Sequence, residues 1–206
     1  MHFDDSYFED EVRDGFFVPS LMKRAWASQL EVLSDLDTVC KKLGITYWAD
    51  AGTMLGAVRH GGIIPWDDDI DVAMPRDDYD RFLEIAPLQL SQQYIIESPR
   101  DRDHVIVSAT IKSKKGGCTL HNAQKVVHTG AWIDIMMIDG VPDPGLKRAI
   151  HWYHYLALRA LYQISHFDEA VDQNRERPGY EKLIIRFAKV TKTRFNSRIH
   201  FLCLCA

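Results

Sequence analysis

The stretch GGIIPWDDDIDVAMPRDDYD, residues 61–80, joins an acidic run directly to an apolar one. Four aspartates fall within five positions, namely Asp67, Asp68, Asp69 and Asp71. Carboxylates this close together repel one another and resist burial unless a cation lies among them. The stretch therefore predicts a positively charged partner, and the question is which one.

The segment DIDVAM, residues 69–74, predicts a strand that ends at Pro75. Successive side chains of a strand point to opposite faces, so we expect Asp69 and Asp71 to share one face. Asp67 continues the same face if the extended run begins early. This spacing predicts a strand that presents two carboxylates together.

A second predicted strand, in the segment GAWIDIMMIDG at residues 130–140, carries a carboxylate of its own. Asp134 lies there between Ile133 and Ile135, where an unpaired charge is costly. We expect this strand to bring Asp134 beside the first pair. Three carboxylates with no cysteine or histidine among them favour a hard divalent cation, Mg²⁺ or Mn²⁺.

The acidic run has two other interpretations, a calcium-binding loop and a solvated turn. An EF-hand calcium loop starting at Asp67 would need glycine at its sixth position and glutamate at its twelfth, where this chain has Val72 and Asp78. A solvated acidic turn fits Asp68 well, but it fits Asp69 and Asp71 poorly because those two alternate with apolar residues.

Candidate phosphate ligands lie upstream, where a predicted strand (residues 45–52) meets a predicted short helix (residues 53–60). Gly52 lets a ligand approach the backbone, and the Thr53 hydroxyl together with the first helical N–H groups can bind phosphate. Arg59 is suited to bidentate phosphate contacts, with pairing to an aspartate as the alternative. His60 completes the candidate substrate-binding set, with a capping or packing role as the alternative.

The remaining pattern predicts a mixed α/β (α+β) protein with a central sheet flanked by helices. Apolar residues at three- and four-residue spacings predict a helix over residues 20–43, with Ser20 as its N-cap and Gly44 as its end. A further helix begins at residue 76, and strands are predicted over residues 94–98, 105–113 and 131–139. We divide the chain into an N-terminal extension (1–19), a core that contains the predicted sheet (20–140) and a mostly helical C-terminal segment (141–206).

Composition limits the possible partners and the location of the protein. The 206 residues carry a formal net charge of −4 and a pI near 6.1, so no general attraction to nucleic acid is expected. The four cysteines show no zinc-type spacing, which favours reduced thiols in the cytosol. The acidic N-terminus does not resemble a secretory signal, and no apolar run is long enough to cross a membrane.

Taken together, DAGTMLGAVRHGGIIPWDDDIDVAMPRDDYDRF and GAWIDIMMIDG resemble the LicD family of phosphorylcholine transferases, relatives of fukutin within the nucleotidyltransferase superfamily. The resemblance implies a nucleotidyltransferase-type core, a phosphate loop at Gly52 and Thr53, a metal pair at Asp69 and Asp71, and a third carboxylate at Asp134. Family members usually run longer, so one interpretation is a truncated C-terminal part.

The resemblance implies Mg²⁺-dependent transfer of phosphocholine from CDP-choline to a hydroxyl of a glycan or glycolipid, with release of CMP. Arg59 would offset charge on the leaving nucleotide, and Asp134 would bind the metal or accept the hydroxyl proton. Alternatives are transfer of ribitol or glycerol phosphate, nucleotidyl transfer from a nucleoside triphosphate, and an inactive scaffold homologue. The expected location is the cytoplasm, compatible with peripheral association at the inner face of the membrane.

Overall fold

The computed structural model describes residues 2–101, 108–115, 118–122, 125–165 and 179. The chain forms two compact units, one of residues 1–121 and 126–139 and the other of residues 122–125 and 140–206. Every candidate site residue lies in the first unit. The second unit contains the long helix of residues Leu146–Ser165.

The first unit is built on a five-stranded mixed sheet flanked by helices, which confirms the predicted fold class. The strand order is β3-β4-β9-β6-β5, and within it only β4 and β9 run parallel. The bounds are β3 Trp48–Ala49, β4 Asp71–Pro75, β5 Tyr94–Glu97, β6 Ala109–Ser113 and β9 Trp132–Ile138. Two-stranded sheets are formed by β1 Glu11–Arg13 with β2 Phe16–Val18, and by β7 Cys118–Asn122 with β8 Lys125–Thr129.

The helices in chain order are α1 Ser20–Leu43, α2 Ala51–Arg59, α3 Arg76–Gln89 and α4 Leu146–Ser165. Helix α1 ends as predicted at Gly44, whose φ of 63° gives the left-handed C-cap. Apolar side chains of α1 and α3 pack with one face of the sheet to form the core, which includes Leu36, Phe82, Val72 and Ile135. The opposite face of the sheet is thereby left to carry polar side chains.

The buried thiol of Cys40 belongs to this core and is free. Burial raises its pKa to about 12. It is therefore held in the protonated form. The start of the strand predicted at residues 105–113 lies outside the described residues. So does the predicted helical tail beyond residue 165, apart from residue 179; this tail carries Cys203 and Cys205.

Several predicted boundaries were wrong. The strand expected at residues 69–74 begins only at Asp71, so Asp69 lies in the preceding loop and not on the strand. The strand expected at residues 45–52 shrinks to Trp48–Ala49, because the backbone turns at Ala51, whose φ is 44°, and α2 starts there. Pro19, and not Ser20, is the N-cap of α1.

The hairpin β1–β2 differs from the extension predicted for residues 1–19. Its signal was present as Asp14-Gly15, a dipeptide typical of two-residue hairpin turns. Both residues adopt positive φ, 52° and 78°, between the paired residues Arg13 and Phe16.

Among the described helices, none combines the length and apolar character that a membrane crossing needs.

Candidate active site

The central pair of the site is Asp71 and Asp134, which occupy directly paired positions of the parallel strands β4 and β9. Paired positions place both side chains on the same face of the sheet. The backbone follows the same register, since the Asp134 N–H donates to the Ile70 carbonyl at 3.1 Å. The neighbouring strand predicted for Asp134 is thus β9, immediately beside β4.

Two residues that the sequence analysis missed complete this polar face. Thr110 pairs with Asp134 from the other side, and its hydroxyl donates to Asp134 Oδ1 at 2.7 Å. Asp50 lies opposite Asp71, and its N–H donates to the Asp71 carbonyl at 3.0 Å. The sequence signal for Thr110 is its alternation with apolar residues in β6. The signal for Asp50 is its position directly before the Ala-Gly-Thr segment at which α2 begins.

The acidic turn that precedes β4 forms a second group of carboxylates. One oxygen each from Asp67, Asp68 and Asp69 lies within 4.8 Å of the others, a grouping compatible with a metal ion. Asp68, which the sequence favoured as a solvated charge, is indeed exposed but belongs to this group. Asp69 therefore contributes from the loop rather than from the strand.

Two side chains of helix α1 bind the backbone of the acidic turn and hold it in place. The indole Nε1 of Trp26 donates to the Asp67 carbonyl at 2.8 Å, and the Gln29 amide donates to the Asp68 carbonyl at 2.7 Å. Both side chains are almost fully buried, with exposed fractions of 1% and 2%. Because these donors bind main-chain oxygens, the carboxylates of the turn remain available for a ligand.

Burial and mutual repulsion both disfavour the charged forms of Asp69 and Asp71. Burial, with the charges of Asp71, Asp67 and Asp68 and a hydrogen bond with Asp67, raises the pKa of Asp69 to about 6. The pKa of Asp71 is raised by burial and by Asp134, Asp50 and Asp67. Raised carboxyl pKa values mean that negative charge is disfavoured there, and a bound cation would reverse that penalty.

The start of α2 meets the acidic turn closely. A Cβ atom at Gly52 would lie 2.4 Å from Asp67 Oδ2, so glycine there gives room to a carboxylate of the protein itself. The Thr53 Oγ1 atom accepts a hydrogen bond from the Asp71 N–H at 2.9 Å. A hydroxyl that accepts can still donate, so Thr53 orients Asp71 and retains a proton that it can donate to a second acceptor.

Arg59 and His60 lie at the other end of α2. Within the described part of the chain, Arg59 forms no ion pair with an aspartate, which was the alternative interpretation; its Nε donates to His60 Nε2 at 2.8 Å. His60 is the C-cap residue of α2, and its Nδ1 lies 2.7 Å from Asp14 Oδ2. The structure thus links Arg59 to the N-terminal hairpin.

Comparison with known proteins agrees with this architecture. Residues 44–153 match the family model described as LicD/FKTN/FKRP, nucleotidyltransferase domain. The lipopolysaccharide cholinephosphotransferase LicD of Haemophilus influenzae is 34% identical over 116 residues, which cover 55% of this chain and 43% of that protein.

Two eukaryotic proteins show shorter or weaker similarity. The human ribitol 5-phosphate transferase FKRP is 48% identical over 40 residues, 19% of this chain and 8% of FKRP. Mannosyltransferase regulator 4 of Saccharomyces cerevisiae is 32% identical over 110 residues, 50% of this chain and 9% of the yeast protein. In each case the matched part is less than half of the relative's own length.

Proposed function

Because the chain belongs to the LicD/FKTN/FKRP nucleotidyltransferase-domain family, we propose that it transfers a phospho-alcohol, phosphocholine first among them, from a CDP-linked donor to a hydroxyl of a cell-surface glycan. The observation that carries the proposal is the in-register pair Asp71 and Asp134 beside the acidic turn of residues 67–69. Similarity to the cholinephosphotransferase of Haemophilus influenzae supports phosphocholine as the transferred group.

The residues present fit a divalent metal. The carboxylate oxygens of Asp67, Asp68 and Asp69 lie close enough together to bind one ion, and burial with neighbouring negative charge raises the pKa values of Asp69 and Asp71. Asp69 and Asp71, with Asp67 and Asp134, would hold Mg²⁺ or Mn²⁺. When bound, the cation would neutralise the donor diphosphate and lower the barrier to phosphoryl transfer.

The protein's own groups position the reactants. Thr53 and the first N–H groups of α2 bind phosphate oxygens, and Arg59 stabilises the charge on the departing nucleotide. Asp134, whose Oδ1 accepts from Thr110, retains a second oxygen that can take the acceptor's proton. The acceptor oxygen forms a bond to the β-phosphorus, the bond from that phosphorus to the bridging oxygen breaks, and CMP departs with both bonding electrons.

Ribitol phosphate is the second candidate for the transferred group. It is favoured by the 48% identity to human ribitol 5-phosphate transferase over 40 residues. The metal and phosphate contacts described above involve only the diphosphate, so they suit either alcohol. We place the reaction at the cytoplasmic side of a membrane that carries the glycan acceptor, with the protein associated peripherally.

Product analysis tests the proposal. The purified protein is incubated with Mg²⁺, a glycolipid extract as acceptor and, in turn, CDP-choline, CDP-ribitol, CDP-glycerol, CTP and ATP. Release of CMP with equal incorporation of labelled phosphocholine into the extract is the expected result. Release of pyrophosphate with CTP or ATP would instead indicate nucleotidyl transfer, and no turnover of any donor would favour a scaffold role.

A matched control distinguishes the loss of a carboxylate at the site from the loss of a negative charge elsewhere on the protein. Asp71→Asn should abolish CMP release, whereas Asp77→Asn removes the same charge from an exposed position in the first turn of α3 and should leave it unchanged. Equal activity of both variants would contradict the assignment of the site.

A further inference from the structure

Three residues from two separate parts of the chain form a continuous hydrogen-bonded series beside the acidic turn. Asp14 Oδ2 lies 2.7 Å from His60 Nδ1, and Arg59 Nε lies 2.8 Å from His60 Nε2. Asp14 belongs to the turn of the β1–β2 hairpin, which lies outside the region that matches the family model. The series therefore connects an N-terminal hairpin to the end of α2.

The direction of the hydrogen bonds follows from the chemistry of arginine. The Arg59 Nε–H can only donate, so His60 Nε2 accepts and carries no proton. A neutral imidazole then carries its proton on Nδ1, and this proton is donated to Asp14. Only 9% of the His60 side chain is exposed, so the ring is fixed between its two partners.

The series leaves the outer part of the Arg59 guanidinium available. Arg59 is exposed, and its two terminal nitrogens form no ion pair with a carboxylate of the described residues. Its Cζ lies 6.0 Å from the centroid of the Trp66 ring, and Trp66 immediately precedes Asp67 of the acidic turn. A guanidinium held at Nε and against an aromatic ring presents its remaining donors in a fixed direction.

The hairpin itself is held firmly enough to act as a support. Lys23 of α1 pairs with Glu11 of β1 at 3.0 Å, and the Arg13 guanidinium lies 5.6 Å from the Trp26 ring centroid. Trp26 is the same residue that binds the Asp67 carbonyl. The hairpin and the acidic turn thus share an anchor on α1.

We propose that Asp14 and His60 are positioning residues that aim the terminal nitrogens of Arg59 at a phosphate of the nucleotide donor, which makes the N-terminal hairpin part of the donor site. This inference rests on the proposed function, because it takes a nucleotide diphosphate as the ligand. It also predicts the opposite of simple charge repulsion, because a negatively charged residue of the hairpin should strengthen the binding of an anion.

Two substitutions at one position separate positioning from charge. Asp14→Asn and Asp14→Gly both remove the negative charge, and both residues tolerate the positive φ of 52° at this position. Only asparagine keeps an oxygen that can accept from His60 Nδ1. If charge alone mattered, both variants would bind an anion more tightly than the wild type.

The experiment measures binding of CDP-choline, CMP and cytidine in Mg²⁺ by calorimetric titration. Asp14→Gly should weaken CDP-choline and CMP by about tenfold and leave cytidine unchanged, since loss of a hydrogen bond that fixes a charged group is a change of this order. Asp14→Asn should recover most of the loss. Glu9→Gln, which removes a charge from another exposed N-terminal position, should behave like the wild type.

A double-mutant cycle identifies the partner through which Asp14 acts. Arg59→Lys keeps the positive charge but has no Nε–H to be held by His60, so Asp14→Gly should have no further effect in that background. Unchanged or tighter CMP binding by Asp14→Gly, or additive losses in the cycle, would overturn the positioning role. Failure of the wild type to bind any of the nucleotides would overturn the proposed function as well.

Discussion

At the scale of single residues, the site concentrates carboxylates on one sheet face and one adjoining turn. Burial, together with the charges of Asp134, Asp50 and Asp67, raises the pKa of Asp71, so its charged form is disfavoured in the folded protein when no cation is bound. A charged Asp71 therefore lowers the stability of the metal-free protein. Neutralising it should raise stability and lower activity.

Asp71→Asn should abolish transfer and raise the melting temperature of the metal-free protein at neutral pH. The amide is nearly isosteric, it removes a disfavoured charge, and it leaves the backbone hydrogen bond from Asp71 N–H to Thr53 intact. Thermal unfolding and CMP release measured on the same preparation check both parts. Full activity would mean that Asp71 is only a surface charge.

The stability gain of Asp71→Asn should depend on pH. Because the folded-state pKa of Asp71 is raised, the folded wild type holds its proton more tightly than the unfolded chain. Wild-type stability at this position is therefore fully present below the usual Asp pKa and is lost as pH rises through the raised one. The difference in melting temperature between variant and wild type should be present at pH 7 and vanish near pH 3.

Thr110 offers a test of how Asp134 is oriented. Thr110→Val keeps the shape of a side chain that is 2% exposed but removes the donor to Asp134 Oδ1. Loss of such a hydrogen bond behind a metal ligand lowers metal affinity or activity by about 10–100-fold. Thr110→Ser should restore activity, whereas wild-type kinetics for the valine variant would show that Asp134 needs no such support.

At the scale of elements, the decisive arrangement is the close approach of α2 to the acidic turn. Gly52→Ala would place a Cβ atom 2.4 Å from Asp67 Oδ2, and that carboxylate must move because it is the flexible end of a side chain. We expect little change in melting temperature but a loss of Mg²⁺ affinity of at least about tenfold. Gly62→Ala is the matched control, because nothing lies within 4 Å of its added Cβ.

Titration of Mg²⁺ into each glycine variant, in the presence of CDP-choline, measures the effect. Equal affinity for Mg²⁺ in Gly52→Ala and Gly62→Ala would mean that Asp67 takes no part in binding the metal. Unfolding of Gly52→Ala would show that the α2 start is too rigid for the carboxylate to yield.

The sequence allowed the mixed sheet and the neighbouring strands of Asp71 and Asp134 to be predicted, because alternation of apolar and acidic residues reports directly on strand faces. It misplaced Asp69, since the turn before β4 is set by Trp26 and Gln29, which lie about forty positions away in α1. Long-range contacts of this kind leave no local pattern. The link from Asp14 to Arg59 was missed for the same reason.

At the scale of the whole molecule, the proposed function requires a chain with a net charge of −4 to bind an anionic donor at a site that is itself acidic. Without a cation, the carboxylates oppose the approach of a diphosphate. Without a diphosphate, a divalent cation lacks several of its preferred oxygen ligands and stays largely hydrated. Each ligand therefore completes the binding site of the other.

This coupling should appear in the global stability of the protein, because ligands that bind only the folded state shift the unfolding equilibrium. Coupling between such ligands is reciprocal and commonly amounts to about 1–3 kcal/mol. For a chain of this size, that corresponds to roughly 2–12 °C of melting temperature beyond the sum of the separate effects of saturating Mg²⁺ and CDP-choline.

Thermal unfolding with Mg²⁺ alone, CDP-choline alone and both together measures the excess, and adding a chelator should remove it. Asp71→Asn should lose the excess because it lacks one of the charges through which the two ligands communicate, whereas Asp77→Asn should keep it. Choline and ATP serve as comparison ligands. Strictly additive shifts would reject a metal-bridged diphosphate, and an excess with ATP but not with CDP-choline would assign the site to nucleotidyl transfer, since the same carboxylates would then be serving a triphosphate.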